Sequence, residues 1–206
     1  MFITFEGIDG SGKSTQARLF AEWLKGSCGR RVLLTREPGG WDGGSILRSM
    51  VINGELKHPW SEAYLFMLDR AEHVAQILNP ALVSGADVVC ERYHDSTLAY
   101  QVWGRGLPID VFDRLAELSA FPVPDVTLLL DLPVETAMRR AAVRGSLDAF
   151  ESEGACFMTR IREGYLALAK REPKRWVVLD CESLSVNDVF DAVLNSVRAR
   201  GFFYDR

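Results

Sequence analysis

Short apolar runs rich in β-branched residues recur along the chain at 2–5, 32–35, 88–90, 126–131 and 176–179, each too short for a typical helix. Continuous runs of this length predict five strands buried on both faces. Between them, apolar residues recur at helical spacing over 14–25, 44–53, 61–83, 96–102, 109–119, 134–143, 153–170 and 185–198. Strand and helix alternate throughout, so the strands are expected to run parallel in a sheet sandwiched by helices. Boundary signals agree: Asn53-Gly54 stops one helix, His58-Pro59 precedes the next, and Pro133 opens another.

The 206 residues can close a sizeable core but are few for two independent domains, and no repeat, low-complexity tract or linker divides them. One domain spanning 1–206 is expected. With 48% hydrophobic and 25% charged residues, the disordered and fibrous classes are excluded. A net charge of −4 argues against a nucleic-acid polymer as partner, so any anionic ligand must be held by a local cationic cluster. Cys28, Cys90, Cys156 and Cys181 are scattered without a C-x-x-C pair, which reads as reduced thiols in a cytoplasmic protein. No apolar run reaches the ~18 residues of a membrane span, and the start MFITFEG has no leader pattern.

The strongest chemical signal is GIDGSGKST, which fits G-x-x-x-x-G-K-[ST] through Gly7, Gly12, Lys13 and Ser14. It directly follows the first strand and opens a helix. Glycines there let backbone N–H groups turn toward a polyphosphate, and the helix N-terminus adds a favourable dipole. Gly7, Ile8, Asp9, Gly10, Ser11, Gly12, Lys13, Ser14 and Thr15 are therefore the expected ATP cradle. Lys13 would reach the β- and γ-phosphates, and the Ser14 hydroxyl would serve Mg²⁺, which prefers hard oxygen ligands. A GTPase would need N-K-x-D or T-K-x-D after a late strand, which the chain lacks, and it is short for a motor ATPase. Small-molecule kinases remain favoured.

Four more segments carry chemistry: REPGG at 36–40, FMLDR at 66–70, ERYHDSTLAYQ at 91–101, and PDVTLLLDLP at 124–133, followed by Arg139, Arg140 and Arg144. Pro38 and the paired glycines make a rigid loop that presents Arg36 and Glu37, unless the segment is a plain surface turn. Phe66 and Arg70, four apart, share a helix face. By spacing alone Phe66 is equally a core residue. Glu91 and Arg92 fall at the carboxyl end of a strand, where open parallel sheets bind ligands. His58, His73 and His94 are isolated and read as surface or helix residues, with His94 near enough to the pocket to touch substrate.

In order and approximate spacing, from FEGIDGSGKSTQ to the YLALA segment at 165–169, these motifs resemble those of the thymidylate kinase family. The resemblance implies a P-loop three-layer α/β/α fold with a five-stranded parallel sheet and a mobile lid near 139–153. It implies transfer of the ATP γ-phosphate to thymidine monophosphate, with Mg²⁺, on the way to dTTP. Lys13, Arg92, Arg144, Asp9 and Glu91 are the implied catalytic set, with Arg140 over adenine and with Ser14 and Glu91 at the metal. Asp9, Glu37, Pro38, Arg48, Phe66, Arg70, Arg92, Ser96, Thr97, Tyr100 and Gln101 are the implied substrate contacts. Phe66 would stack on the base, Arg70 would donate to a base carbonyl, and Tyr100 would crowd the sugar 2′ position. Another P-loop nucleotide or nucleoside kinase, or a silent nucleotide-binding regulator, is the alternative. Members are usually homodimers, for which Ala63, Phe66, Leu68 and Val74 offer an apolar face unless that face is core.

Three departures stand out. Glu91 replaces the family's aspartate, and Trp41 replaces the threonine after REPGG, with Gly43-Gly44 adding expected mobility. Neither the P-loop nor the lid segment LDAFE carries the arginines that members usually place in one or the other, which leaves Arg144 nearly alone, or with Arg139 swinging in.

Overall fold

The five strands are β1 (Phe2–Glu6), β2 (Val32–Arg36), β3 (Asp87–Glu91), β4 (Val126–Asp131) and β5 (Trp176–Asp180), all parallel in the order β2-β3-β1-β4-β5. This computed structural model describes residues 1–142, 150 and 153–202. β1 lies at the centre, between β3 and β4, with Phe5 opposite both Glu91 and Leu128. The helices are α1 (Lys13–Gly26), α2 (Gly44–Ile52), α3 (Pro59–His73), α4 (Asn79–Val83), α5 (His94–Thr97), α6 (Ile109–Leu118), α7 (Val134–Ala142), α8 (Ala155–Arg171) and α9 (Val186–Ala199).

Strand alternation divides the core into two layers. Ile3 and Phe5 of β1, with Leu128 and Leu130 of β4, meet Phe20 and Leu24 of α1 and Val193 and Val197 of α9. The opposite face of β1 begins apolar, where Phe2 packs with Tyr93. It then turns polar, because Thr4 and Glu6 are wholly buried there. Thr4 shares a hydrogen bond of 2.9 Å with Thr127, which accepts from Arg175, and Arg175 in turn pairs with Asp95. Over this face lie α5, α6 and α8. Burial on both faces holds for β1, β3 and β4. The edge strands β2 and β5 depart from it, leaving Leu34 and Val178 exposed.

Helix starts follow local chemistry. Pro59 sits in the first turn of α3, and the His58 side chain accepts from the Trp60 N–H. Ser185 and Asp188 form a capping box on α9. The single helix expected over 61–83 is instead α3, a π-helical turn Val74–Leu78 and α4. Pro80 has no N–H to close a bond on Gln76, and the ladder widens in the turn before it. Likewise, α5 starts two residues earlier than expected and passes into a π-helical segment, Leu98–Gly104. No helix among the described residues is long and apolar enough to cross a membrane.

Candidate active site

β1 ends at Glu6 and the chain turns back through 7–12 into α1. Gly10 adopts φ 85°, and a Cβ there would overlap the Ala137 carbonyl of α7, so only glycine lets the loop pass beneath that helix. Lys13, the first residue of α1, folds its Nζ back to donate to the Ile8 carbonyl at 2.9 Å and lies 3.8 Å from Asp9. Burial, followed by the nearby Arg92 charge, pulls the Lys13 pKa down to about 8. Ser14 donates to Glu91 Oε1 at 2.7 Å, so the longer Glu91 side chain still brings its carboxylate to the P-loop hydroxyl.

Arg92 follows β3 in a left-handed backbone conformation, φ 63°, which is strained for a residue other than glycine. Its guanidinium is held on every side. Nη2 donates to Asp9 Oδ1 at 2.6 Å and to the Tyr100 hydroxyl at 3.1 Å; Nη1 donates to the Gly7 carbonyl, the Ser96 hydroxyl and the Tyr165 hydroxyl at 3.1–3.2 Å. Tyr100 also donates to Asp9 Oδ2 at 3.0 Å. Burial raises the Asp9 pKa, but Arg92, Lys13 and the hydrogen bonds from Tyr100 and Arg92 outweigh it and hold the carboxyl well below the usual range.

The loop after β2 is gripped by one face of α3. Glu37, preceding a cis peptide to Pro38, pairs with Arg70 at 2.8 Å and with His73 Nδ1 at 2.9 Å. His73 Nε2 meets the Thr35 hydroxyl at 2.7 Å. A carboxylate only accepts, so Nδ1 carries the proton and donates to Glu37. Asp69 accepts from the Gly39 N–H at 3.0 Å and from the Trp41 indole N–H at 2.9 Å. Gly43 and Gly44 are not slack: a Cβ on Gly43 would overlap the Trp41 ring, and one on Gly44 would crowd Gly39. His73 is a helix residue, as expected, the last of α3, and it is fully buried because the loop folds over it.

These elements enclose one cavity of about 300 Å³. Asp9, Ser14, Arg36, Arg48, Glu91 and Arg92 line it, as do Phe66, Val51, Ile52 and Phe150, and Glu37, Pro38, Arg70, Ser96, Thr97, Tyr100 and Gln101 complete its wall. Phe66 packs against Phe150 with ring centroids 6.3 Å apart. Arg70, 1% exposed, donates to Thr97 at 2.9 Å and has a buried Nε without a partner among the described residues. Gln101 donates to Glu62 at 2.8 Å and keeps a buried Oε1 that has no partner among the described residues. Arg48 donates to the Pro38 carbonyl. The structure therefore brings together every expected substrate residue, although the Ser96 hydroxyl is engaged with Arg92 and Glu6.

Other expectations fare differently. Arg140 sits at the end of α7 and donates to the carbonyls of Cys181 and Glu182, away from this cavity. Arg144, together with most of the expected lid, lies outside the described residues. His94 is not part of the cavity wall. Of the expected apolar face, Ala63 of α3 and Val74 of the following π-helical turn are core, and Phe66 faces the cavity; Leu68 points outward. No role was expected for Glu6, Asp69 or Tyr165, which appear only inside FEGIDGSGKSTQ, FMLDR and YLALA, or for Arg105. Alternation along β1 could have flagged Glu6 as an inward carboxylate, whereas no local signal marks the other three. Arg105 spans Glu62 and Glu153 and covers the Phe157 ring at 4.5 Å.

Comparison with known proteins gives a consistent pattern. A family model described as thymidylate kinase matches residues 5–193. A thymidylate kinase of Caulobacter vibrioides is 43% identical over 185 residues, 88% of each chain. One of Pelotomaculum thermopropionicum is 47% identical over 87% of this chain and 84% of its own. The crystal structure of thymidylate kinase from Ehrlichia chaffeensis superposes with a TM-score of 0.80 at 34% identity, covering 96% of this chain and 98% of that one.

Proposed function

Because the chain belongs to the thymidylate kinase family and phosphorylates thymidine monophosphate, we propose that the cavity beside the P-loop binds that nucleotide and presents its phosphate to ATP. The single observation carrying this reading is the two-ended chemistry of one cavity. Cationic Arg36, Arg48 and Arg92 line it together with the aromatic ring of Phe66 and the base-sized polar set of Arg70, Thr97 and Gln101. In the proposed complex, Phe66 stacks on thymine, Arg70 donates to a ring carbonyl, and the unpartnered Gln101 Oε1 accepts the ring N–H. Tyr100, fixed by Asp9 and Arg92, crowds the sugar 2′ position and favours deoxyribose.

On the donor side, residues 7–15 hold the ATP phosphates, with Lys13 on the β- and γ-groups and Arg140 at the adenine end. Ser14 and Glu91 supply two hard oxygens 2.7 Å apart, a set that suits Mg²⁺ shared with nucleotide phosphates and water. When bound, the ion would neutralise charge on the phosphates and orient them. Arg92 bridges the two nucleotides, Asp9 orients Arg92 and Lys13, and Arg144 adds lid charge. Phosphoryl transfer requires in-line positioning and positive charge near the equatorial oxygens, and no side chain forms a covalent intermediate.

This reading treats 1–206 as one kinase domain with its lid near 139–153. It places the domain in the cytoplasm, in keeping with four free thiols, and in a homodimer. The test is steady-state kinetics with ATP, Mg²⁺ and a panel of thymidine, deoxyuridine, deoxycytidine and ribothymidine monophosphates. The expected order of kcat/KM puts thymidine monophosphate first, and Arg70→Ala should weaken that preference. Equal turnover of the cytidine nucleotide would overturn the base-reading assignment.

A further inference from the structure

Glu6 and Tyr165 lie outside the cavity wall, yet both belong to the cluster that holds Arg92. Glu6 is the last residue of β1, on the polar side of that strand, and is 0% exposed. Its carboxylate accepts from the Tyr93 backbone N–H at 2.8 Å, from the Ser96 hydroxyl at 2.6 Å and from the Tyr165 hydroxyl at 3.1 Å. The two hydroxyls lie 2.7 Å apart, and both accept from Arg92 Nη1. Tyr165 comes from α8, more than 70 residues beyond Arg92, at the head of the YLALA segment that nothing else in the site explains.

The direction of these bonds follows from the donors available. Arg92 only donates, so each hydroxyl must turn a lone pair toward it and send its own proton elsewhere. Ionised above about pH 7, the buried Glu6 carboxylate is the partner able to take that proton from both. Without it, a hydroxyl hydrogen would face the guanidinium and repel it. The arrangement also opposes the strain of the Arg92 backbone at φ 63°, since Glu6 secures the next residue through the Tyr93 N–H.

We propose that Glu6 and Tyr165 are positioning residues for phosphoryl transfer, which act by orienting two hydroxyl oxygens on Arg92 and so fixing its guanidinium between the two nucleotides. The inference rests on the reading above that Arg92 touches the phosphates. Positioning of this kind acts on kcat, because a guanidinium displaced from the transferring group loses stabilisation that develops mainly in the transition state. Base recognition is assigned to Phe66, Arg70 and Gln101, to none of which Glu6 or Tyr165 is hydrogen-bonded among the described residues.

The experiment is a double-mutant cycle read by initial rates with ATP and thymidine monophosphate. Tyr165→Phe removes one hydroxyl with little change in volume; the expected result is a roughly tenfold fall in kcat, with both KM values within about twofold and the melting temperature retained. Glu6→Gln should produce the same split, and the pair should cost less than the product of the single effects because both act through one group. In an Arg92→Lys background, Tyr165→Phe should cost little further, an outcome that a general loss of packing would not give. If Tyr165→Phe turns over at the parental rate, or costs the same in both backgrounds, the inference is overturned while the role of Arg92 stands. If Arg92→Lys itself keeps full activity, the underlying reading fails and takes the inference with it.

Discussion

His94 opens α5 with its Nδ1 shielded from water and unpartnered among the described residues. Burial, followed by the Arg70 charge, holds its pKa down to about 3. An unfolded chain takes up that proton near 6.5, so below this pH the unfolded state binds a proton that the folded state excludes. Stability therefore falls as pH drops from 6.5 toward 3. Glu6 works in the opposite sense. Burial and Asp95 raise it to about 7, so the folded state keeps a proton that the unfolded chain has released above 4.5. Stability from this group is lost as pH climbs from 4.5 through 7. Comparing parent and His94→Asn by thermal melting at pH 7.5 and pH 5, values chosen to be about a unit or more either side of 6.5, separates the two. The variant should lose clearly less on acidification, and parallel pH curves would refute the assignment.

At the scale of elements, α3 is a template for the loop that follows β2. Asp69, Arg70 and His73 fall on adjacent positions of its inner face, and each takes hold of a different part of residues 35–41. Phe66 and Arg70 of the same helix line the cavity, so loop placement and base recognition share one rigid body. Trp41→Phe keeps the ring but deletes the N–H that Asp69 accepts. A lost hydrogen bond of this kind is worth about 0.5–1.5 kcal/mol, so the KM for thymidine monophosphate should rise by roughly two- to tenfold with kcat nearly held. An unchanged KM would show that the ring alone seats the loop.

This region also shows what could be read in advance. The strand, turn and helix around the P-loop were legible because the pattern is local: four motif residues, one strand before and one helix after. Phe66 and Arg70 were legible because helical periodicity fixes their common face. Trp41 with Gly43-Gly44 read as looseness, since the ring that fills the space left by those glycines is visible only in three dimensions. Glu6 and Tyr165 escaped because their partners are 90 and 159 positions apart along the chain, and no periodicity links a strand end to a distant helix. The π-helical turns were similarly hidden, as an apolar spacing of 3.6 hardly differs from that of a slightly wider coil.

For the whole molecule, the strand order places β1 between β3 and β4, so the P-loop, the Glu91-Arg92 pair and α7 all emerge at the carboxyl ends of three adjacent strands. This convergence explains how side chains remote in sequence share one cavity. The outer surface of α3 has a separate task in the homodimer reading. Tyr64 and Leu68, one helical turn apart, are 62% and 51% exposed, a cost in apolar surface that a second copy would relieve. Leu68→Glu should convert a dimer to monomer in sedimentation velocity, and an unaltered profile would remove this face from consideration.

The contact between Asp9 and Arg92 carries a last consequence. A guanidinium that awaits phosphate inside a protein would be a bare cation in the resting enzyme, and the Asp9 carboxylate serves as its placeholder. In the complex proposed above, arriving phosphate replaces one anion by another instead of satisfying an orphan, and the affinity reports only the difference between them. Asp9→Asn should consequently make the ligand-free protein melt at a lower temperature while tightening its grip on inorganic phosphate in calorimetry. A protein that became both less stable and weaker for phosphate would show that Asp9 is no stand-in but part of the lasting cradle.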